Sequence, residues 1–199
     1  MTLYEFDQEL RQKYATICGV DEAGRGPLAG DVYAAAVVFD EGVIIEGIND
    51  SKKLTEKKRE KLFDEIIEKA SAYCIATATV AEIEEINILN AAMLAMKRAV
   101  EGLGVTPDIA IIDGNKTPDL SCLAKSVVKG DATSQSIAAA SILAKVARDR
   151  YMLEMAEKYP EYQFEKHKGY GTKAHYQALK EHGLSPVHRP SFLKNLCEK

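Results

Sequence analysis

The sequence predicts an α/β fold in which a mixed central β-sheet is flanked by helices. Short apolar runs, bounded by glycine or polar residues as is typical of buried strands, first follow one another and then alternate with helical segments. The chain has 199 residues, of which 46% are hydrophobic, and this is enough to bury one core. We therefore expect a single domain over residues 1–199, with a small helical and loop-rich extension from about residue 160.

Four strands and two helices are predicted before residue 81. The strands share runs of β-branched, aromatic or small apolar residues and are expected at 15–20, 32–39, 43–46 and 72–80. Apolar residues at amphipathic spacing predict a short helix over residues 3–13. Thr55 is a typical N-cap, and the apolar residues after it fall on one helical stripe as far as about Ser71.

The rest of the chain alternates helices with strands. The predicted helices cover 82–101, about 133–158 and 173–182, and the predicted strands cover 108–112 and about 123–128. Gly102 and Pro160 follow the first two of these helices and are expected to end them. The helix at 133–158 contains a run of small residues near Ala139, so it can pack very close to a neighbouring element.

Several classes of protein are disfavoured by the sequence. No apolar run approaches the roughly 18 residues that span a bilayer, and the acidic N-terminus lacks the residue order of a signal peptide. Neither a GxSxG elbow nor a GxxxxGK[ST] loop occurs, which argues against an α/β-hydrolase and a P-loop nucleotide site. The four cysteines form no CxxC pair, so we expect reduced thiols and a cytoplasmic location: Cys18, Cys74, Cys122 and Cys197.

The charge is unevenly distributed. A formal net charge of −4 argues mildly against a nucleic-acid partner, because phosphate binding is driven by positive charge. From Glu165 to the C-terminus, however, seven Lys or Arg stand against three Glu, and all four histidines lie there. We expect any basic face of the protein to include this tail.

Acidic residues follow two predicted strands and precede the long helix. Asp21 and Glu22 come directly after Val20, Asp113 follows another apolar run, and Asp131 lies just before the helix. Ligand sites of open α/β sheets gather at the carboxyl ends of strands. If the four acids converge, they form an all-oxygen cluster suited to Mg²⁺ or Mn²⁺, and two such ions would serve phosphoryl chemistry.

Each acid also has a simpler interpretation. A single Asp after a strand is more often a turn or cap residue, and an acid at the start of a helix is favoured by the helix dipole. Sequence spacing does not show convergence, so both interpretations stand at this point.

Three loops carry residues suited to nucleic-acid contact. The turn Gly24-Arg25-Gly26 could present backbone groups to a sugar or phosphate, or simply connect two strands. Lys52 or Lys53 could contact phosphate, or lie in a solvated loop before a helix. Tyr170, between two glycines, could stack on a sugar or base, or lie in a plain flexible turn.

Taken together, these segments resemble the ribonuclease HII family, the type 2 ribonucleases H. The opening segment GVDEAGRGPLAG resembles that family's signature, and DSKKL resembles its lysine loop. Further blocks occur in the family's order and span most of residues 15–192: 87–99, 112–114, 129–149, 167–172 and 188–192. The seven ordered blocks make the resemblance highly specific, and they look bacterial more than archaeal.

The resemblance implies a ribonuclease H-like fold and an endonuclease that depends on Mg²⁺ or Mn²⁺, with a two-metal mechanism. Its implied substrates are RNA–DNA hybrids, of which it hydrolyses the RNA strand, and DNA duplexes containing ribonucleotides, which it cleaves 5′ to the ribonucleotide. The products would carry 3′-hydroxyl and 5′-phosphate ends, as ribonucleotide excision repair requires. We expect a monomer without a membrane partner.

The family's site residues map onto positions that match its motifs. The catalytic and metal-binding acids correspond to Asp21, Glu22, Asp113 and Asp131. The turn that senses the 2′-hydroxyl corresponds to Gly24, Arg25 and Gly26, the stacking tyrosine to Tyr170, and the phosphate-binding lysine to Lys52 in preference to Lys53. The extension from about residue 160 would be substrate-binding.

One departure and two alternatives remain. Many relatives have Gly-Pro or Gly-Ala where this chain has Gly30-Asp31, which adds an acid near the site without defining a role for it. The related ribonuclease HIII carries an extra N-terminal domain that would not fit before residue 15. A non-catalytic nucleic-acid-binding module would need a neutral residue in place of at least one of the four acids, and all four positions are acidic. Another nuclease of this fold would be distinguished by cleavage of all-DNA duplexes.

Overall fold

The computed structural model describes residues 1–194. Five strands form one sheet: β1 (Ile17–Ala23), β2 (Val32–Val38), β3 (Ala72–Ala78), β4 (Ile109–Asp113) and β5 (Leu123–Val127). Helices flank it: α1 (Leu3–Arg11), α2 (Glu56–Lys69), α3 (Val80–Glu101), α4 (Gln135–Lys158), α5 (Phe164–His167) and α6 (Lys173–His182). Short 3₁₀ turns lie at Ser51–Lys53, Gly130–Ala132, Pro160–Tyr162 and Pro190–Phe192. The predicted α/β class with a mixed sheet is confirmed.

The strand order brings the carboxyl ends of three strands together. The order is β3-β2-β1-β4-β5. Strand β2 is antiparallel to its neighbours β1 and β3, and β4 is parallel to its neighbours β1 and β5. In the β1–β4 pair, Val20 lies opposite Ile112. Because the next residue of each strand is an aspartate, this register places Asp21 beside Asp113 at one edge of the sheet.

Two helical layers cover the sheet. On one face, α3 packs against β1, β2 and β3 through small and medium side chains such as Ala91, Ala95 and Met96. On the other face, α4 packs against β1 and β2 and is itself covered by α2. A Cβ at Gly19 would come within 2.1 Å of the Ser136 carbonyl carbon, so only glycine allows α4 this close to β1.

Two predictions about secondary structure are wrong. Residues 43–46 form no strand, because the Gln135 side chain satisfies their backbone, accepting from Ile45 N at 3.0 Å and donating to Val43 O at 3.0 Å. The helix predicted at 82–101 begins at Val80 and is interrupted at Asn87, whose φ is 69°. Asn87 Oδ1 accepts from Asn90 N at 3.0 Å, so this side chain caps the second half of α3.

Two further findings concern the excluded classes. Among residues 1–194, no helix has the length and apolar character needed to cross a membrane. Cys18, Cys74 and Cys122 are free thiols, in keeping with the expected absence of a disulfide framework among them. Cys197 lies outside the described residues.

Candidate active site

Three of the four predicted acids converge at the edge of the sheet. One carboxylate oxygen each from Asp21, Asp113 and Asp131 lies within 4.8 Å of the others, and no other such group occurs in residues 1–194. Asp113 also organises the turn before α4, since its Oδ1 accepts from Gly130 N at 2.6 Å and from Asp131 N at 3.3 Å. We call these three residues the aspartate cluster.

The aspartate cluster concentrates negative charge in a poorly solvated place. Asp21 is only 5% exposed. Burial raises its pKa well above the usual value, and the charges of Glu22 and Asp113 raise it further. Burial likewise raises the pKa of Asp131, and Asp113 and Asp50 add to that effect. An all-oxygen donor set under such repulsion fits a hard divalent cation such as Mg²⁺ or Mn²⁺, and lacks the nitrogen or sulfur ligands that zinc prefers.

Glu22 lies beside the aspartate cluster but outside the group of converging oxygens. Its Oε1 is 3.4 Å from Arg25 Nη1. Burial raises the pKa of Glu22, Arg25 opposes this, and Asp113 raises it again. The charge of Asp113 therefore affects the protonation of Glu22, although the direct partner of Glu22 is Arg25.

The glycine–arginine turn follows directly after β1. Gly24 has a φ of 99°, a conformation that residues with a side chain rarely adopt. A Cβ at this position would also lie 2.2 Å from Arg148 Nε. Both the backbone angle and the close packing therefore require glycine at Gly24.

Asp21 and Asp113 of the aspartate cluster share one cleft of about 660 Å³ with the turn, and Asp131 lies outside the lining of this cleft. Its lining includes most of the predicted site residues and several others: Asp21, Glu22, Ala23, Gly24, Arg25, Gly26, Ser51, Lys52, Arg59, Asp113, Ser141, Lys145 and Tyr170. Lys52 faces this cleft, and Lys53 is not part of the lining. The lining contains four cationic side chains, and all of them precede the basic tail that begins at Glu165: Arg25, Lys52, Arg59 and Lys145. The tail contributes one residue to the lining, Tyr170.

Tyr170 stands at the rim of the cleft next to the turn. A Cβ on Gly26 would be 3.6 Å from the Tyr170 ring, and the side chain is 44% exposed. Lys145 Nζ lies 6.0 Å from the ring centroid and forms an ion pair with Asp149 at 2.8 Å. The ring is therefore partly exposed beside the backbone of the turn.

Sequence reasoning missed the side chains that support the aspartate cluster. The Ser141 hydroxyl lowers the pKa of the Asp21 carboxyl, and its Oγ is 2.8 Å from Ser51 Oγ. Lys145 lies one helical turn after Ser141 and faces the same cleft. The i, i+4 spacing of two polar residues in an otherwise Ala-rich helix was the available signal.

Asp31 has a structural role away from the aspartate cluster. Its Oδ1 accepts from Val80 N at 2.9 Å, at the start of α3. Burial raises the pKa of Asp31, whereas that hydrogen bond and the nearby Arg189 and Arg148 lower it. The extra acid at Gly30-Asp31 thus stabilises a helix end and faces two buried cations.

A second cleft of about 660 Å³ lies at the opposite end of the sheet, between α1 and the end of β2. It contains Arg11, Asp40 and Glu41 but no converging carboxylates. Chemistry rather than size therefore identifies the first cleft as the candidate active site.

The mixed sheet, the helix packed on β1 and the aspartate cluster at the strand ends define a protein of the ribonuclease H-like class. A solved structure of ribonuclease H2 from Pyrococcus horikoshii OT3 superposes with a TM-score of 0.74 at 30% identity, covering 88% of this chain and 93% of that one. The sequence model of ribonuclease HII matches residues 18–195.

Curated relatives agree with this match. Ribonuclease HII of Caldicellulosiruptor bescii is 58% identical over 97% of this chain and 94% of its own length. Ribonuclease HII of Idiomarina loihiensis is 60% identical over 88% of this chain and 94% of its own length. The chain belongs to the ribonuclease HII family and is a ribonuclease H, an enzyme that acts on the RNA strand of RNA–DNA hybrids.

Proposed function

We propose that this enzyme is a divalent-metal-dependent endoribonuclease that cleaves RNA–DNA hybrids and also cuts 5′ to single ribonucleotides embedded in duplex DNA. The products carry 3′-hydroxyl and 5′-phosphate ends, and the enzyme serves ribonucleotide removal from DNA, acting as a monomer in the cytoplasm. The observation that supports this proposal best is that Asp21, Asp113 and Asp131 converge, and that the first two of them line one cleft with the glycine–arginine turn.

The catalytic acids in this proposal are Asp21, Glu22, Asp113 and Asp131, which would hold Mg²⁺ or Mn²⁺. A bound divalent cation would supply charge neutralisation for the phosphodiester and activation of the attacking water. The repulsion among the buried carboxylates supports the assignment, because a cation relieves it. The backbone N–H groups of Gly130 and Asp131 orient Asp113, and the N–H of Glu22 donates to Asp21 at 2.7 Å.

The turn at Gly24, Arg25 and Gly26 recognises the 2′-hydroxyl in this proposal. The N–H groups of Arg25 and Gly26 donate to no acceptor within residues 1–194, so they are free to bind a ligand. Backbone donors recognise a hydroxyl without reading base identity. A deoxyribonucleotide would leave them unpaired, which disfavours cleavage of plain DNA.

Tyr170 stacks on the sugar or base next to the scissile bond, and Lys52 contacts a backbone phosphate. The position of Tyr170 at the rim and of Lys52 in the lining support these roles. The segment from about residue 160 acts as a substrate-binding extension of a single catalytic domain, since it supplies Tyr170.

Asp21→Asn tests the proposed chemistry. We expect the variant to lose Mg²⁺-dependent cleavage while it still binds a hybrid duplex, because the amide keeps the shape but not the charge of the carboxylate. Asp119→Asn is the matched control, since the Asp119 side chain is fully exposed, and it should cleave normally. Near-normal cleavage by Asp21→Asn would refute the assignment. Strong cutting of an all-DNA duplex by the unmodified enzyme would instead favour a different nuclease specificity.

A further inference from the structure

Arg189 is a buried cation whose hydrogen bonds all go to backbone carbonyls. The side chain is 0% exposed, and it forms no ion pair with any residue of the described chain. Its guanidinium donates to the oxygens of Gly24 (2.6 Å), Arg25 (3.1 Å), Pro27 (2.9 Å) and Gly30 (2.6 and 2.9 Å). Two of these four carbonyls belong to the glycine–arginine turn.

Binding a carbonyl also orients the next N–H group. The peptide unit is planar and trans, so a C=O and the N–H of the following residue point in opposite directions. Arg189 holds the Gly24 and Arg25 carbonyls, and therefore the N–H groups of Arg25 and Gly26 point away from its guanidinium. These are the two N–H groups that have no acceptor within residues 1–194.

We propose that Arg189 is a positioning residue for sugar recognition: by anchoring the Gly24 and Arg25 carbonyls it presents the N–H groups of Arg25 and Gly26 to the 2′-hydroxyl of the substrate. This inference rests on the proposed function of the turn. Arg189 itself lies behind the turn and outside the cleft lining, so it acts through the backbone and not by contact with the nucleic acid.

The surroundings of Arg189 fit a fixed anchor. Its own N–H donates to Leu28 O at 2.8 Å, and its guanidinium lies 5.1 Å from the ring centroid of Phe192. Burial lowers the pKa of Arg189 to about 9, and Arg148 adds to this effect. The side chain therefore remains protonated at neutral pH, and five charge-assisted hydrogen bonds offset the cost of its burial.

A lysine cannot replace this arrangement. Its single ammonium carries three donors at one point, whereas the guanidinium reaches four carbonyls through a planar fork. Arg189→Lys keeps the charge but releases part of the turn. The matched control is Arg98→Lys on α3, because Arg98 also donates to a backbone carbonyl, that of Thr77 at 2.9 Å, and to Glu82.

The test compares binding of two duplexes that differ by one 2′-hydroxyl: a DNA duplex with a single ribonucleotide and the same all-DNA duplex. Fluorescence anisotropy would be measured with Ca²⁺, which has looser coordination geometry than Mg²⁺, and a gel would check that the strands stay intact. We expect the unmodified enzyme to prefer the ribonucleotide duplex. Arg189→Lys should reduce the ratio of the two affinities by about tenfold, which is the effect of losing one hydrogen bond. Its affinity for the all-DNA duplex should be unchanged.

The outcomes separate this inference from the proposed function. If the unmodified enzyme shows no preference, the proposed sensing and this inference both fail. If Arg189→Lys keeps the full preference, or loses affinity for both duplexes equally, only this inference fails. Arg98→Lys should keep the full preference, and a similar narrowing in that control would also overturn the inference.

Folding provides a further check. Circular dichroism and thermal denaturation would show whether Arg189→Lys is folded. If Arg189→Lys is not folded, Arg189→Gln is tested in its place. The glutamine amide can still donate hydrogen bonds, and the substitution removes the buried positive charge next to Arg148. Failure of both variants to fold would overturn the inference, since Arg189 would then serve the fold rather than the turn.

Discussion

Asp21 shows how a single residue can be placed at a cost to stability. It is buried next to two other acids, so burial and the charges of Glu22 and Asp113 all raise its pKa. The Ser141 hydroxyl and the N–H of Glu22, at 2.7 Å, favour its ionised form. A residue in this setting weakens the metal-free protein, and the proposed metal site is what requires its charge.

Replacing Asp21 should therefore stabilise the metal-free protein. We expect Asp21→Asn to increase the free energy of unfolding at pH 7 in the presence of a chelator, because it removes a buried charge that the neighbouring acids repel. Added Mn²⁺ should stabilise the unmodified protein more than the variant. Urea denaturation with and without Mn²⁺ measures both effects, and a variant less stable than the unmodified protein under chelation would contradict the argument.

Tyr170 combines a partly exposed ring with a position next to the turn. We expect Tyr170→Ala to lose mainly the activity on single embedded ribonucleotides, by roughly tenfold to a hundredfold, since base–aromatic stacking contributes about 1–3 kcal/mol. Tyr170→Phe retains the ring and is the control. Comparing kcat/KM on a single-ribonucleotide duplex and on a long hybrid measures the difference. Equal losses on the two substrates, or none, would exclude this role.

At the level of elements, the N-terminal helix α1 holds the start of α4. Asp7 on α1 is only 3% exposed and accepts three hydrogen bonds: from Ser134 Oγ at 2.6 Å, from Ser136 N at 2.9 Å and from Ser136 Oγ at 2.7 Å. Ser134 is the N-cap of α4 and lies three residues after Asp131. Asp7 thus stabilises the segment that carries one acid of the aspartate cluster.

Asp7→Ala should destabilise the protein by about 2–3 kcal/mol, because it leaves buried donors at the start of α4 unpaired. It should also weaken Mn²⁺ binding, since the turn that carries Asp131 loses its support. Glu9→Ala, an exposed position on the same helix, is the control. Thermal denaturation and calorimetric titration with Mn²⁺ test the two effects separately. Unchanged stability of Asp7→Ala would contradict the proposed role of Asp7 in stabilising the start of α4.

For the molecule as a whole, a chain of buried histidines ties the C-terminal segment together. Ser185 N–H donates to His188 Nδ1 at 2.9 Å, so neutral His188 carries its proton on Nε2 and donates to His175 Nε2 at 2.9 Å. His175 then carries its proton on Nδ1 and donates to Tyr170 O at 2.9 Å. Each ring nitrogen of this pair is satisfied only while both rings are neutral.

Acid should therefore loosen this segment. Burial lowers the pKa of His188 from 6.5 to about 4, and His175 adds to the effect. Because the unfolded chain takes up this proton first, the contribution of His188 is fully present above about pH 6.5 and is lost as the pH falls from there towards 4. Urea denaturation at a series of pH values should show this loss, and His188→Asn should reduce it.

Two comparisons isolate the histidine contribution. Burial raises the pKa values of Asp7, Asp21 and Asp131, which favours the folded state in acid and opposes the histidine effect. These acids are common to the unmodified protein and the variant, so the difference between their pH profiles reports His188 together with its coupling to His175. His182 is exposed, and His182→Asn should keep the original profile. An unaltered profile for His188→Asn would contradict the prediction.

Local patterns in the sequence were enough for the fold class and for most elements. Alternation of apolar strands and helices predicts the α/β sheet, and acids after Val20 and Ile112 predict charge at the strand ends. The failures have local causes as well. The apolar run at 43–46 resembles a strand, but a distant side chain, Gln135, satisfies its backbone, and Asn87 interrupts a helix through a backbone angle that sequence spacing does not reveal.

The sequence by itself determined which residue types stand at the ends of the strands and which glycines the turn requires, because these follow from short-range patterning and backbone sterics. Only the tertiary structure decided that Asp21, Asp113 and Asp131 meet, since strand register and the turn before α4 are set by contacts between distant segments. The same holds for Arg189, which reaches Gly24 across 165 positions of the chain. Such long-range contacts form because the core and its hydrogen bonds are satisfied together, and no local pattern records them.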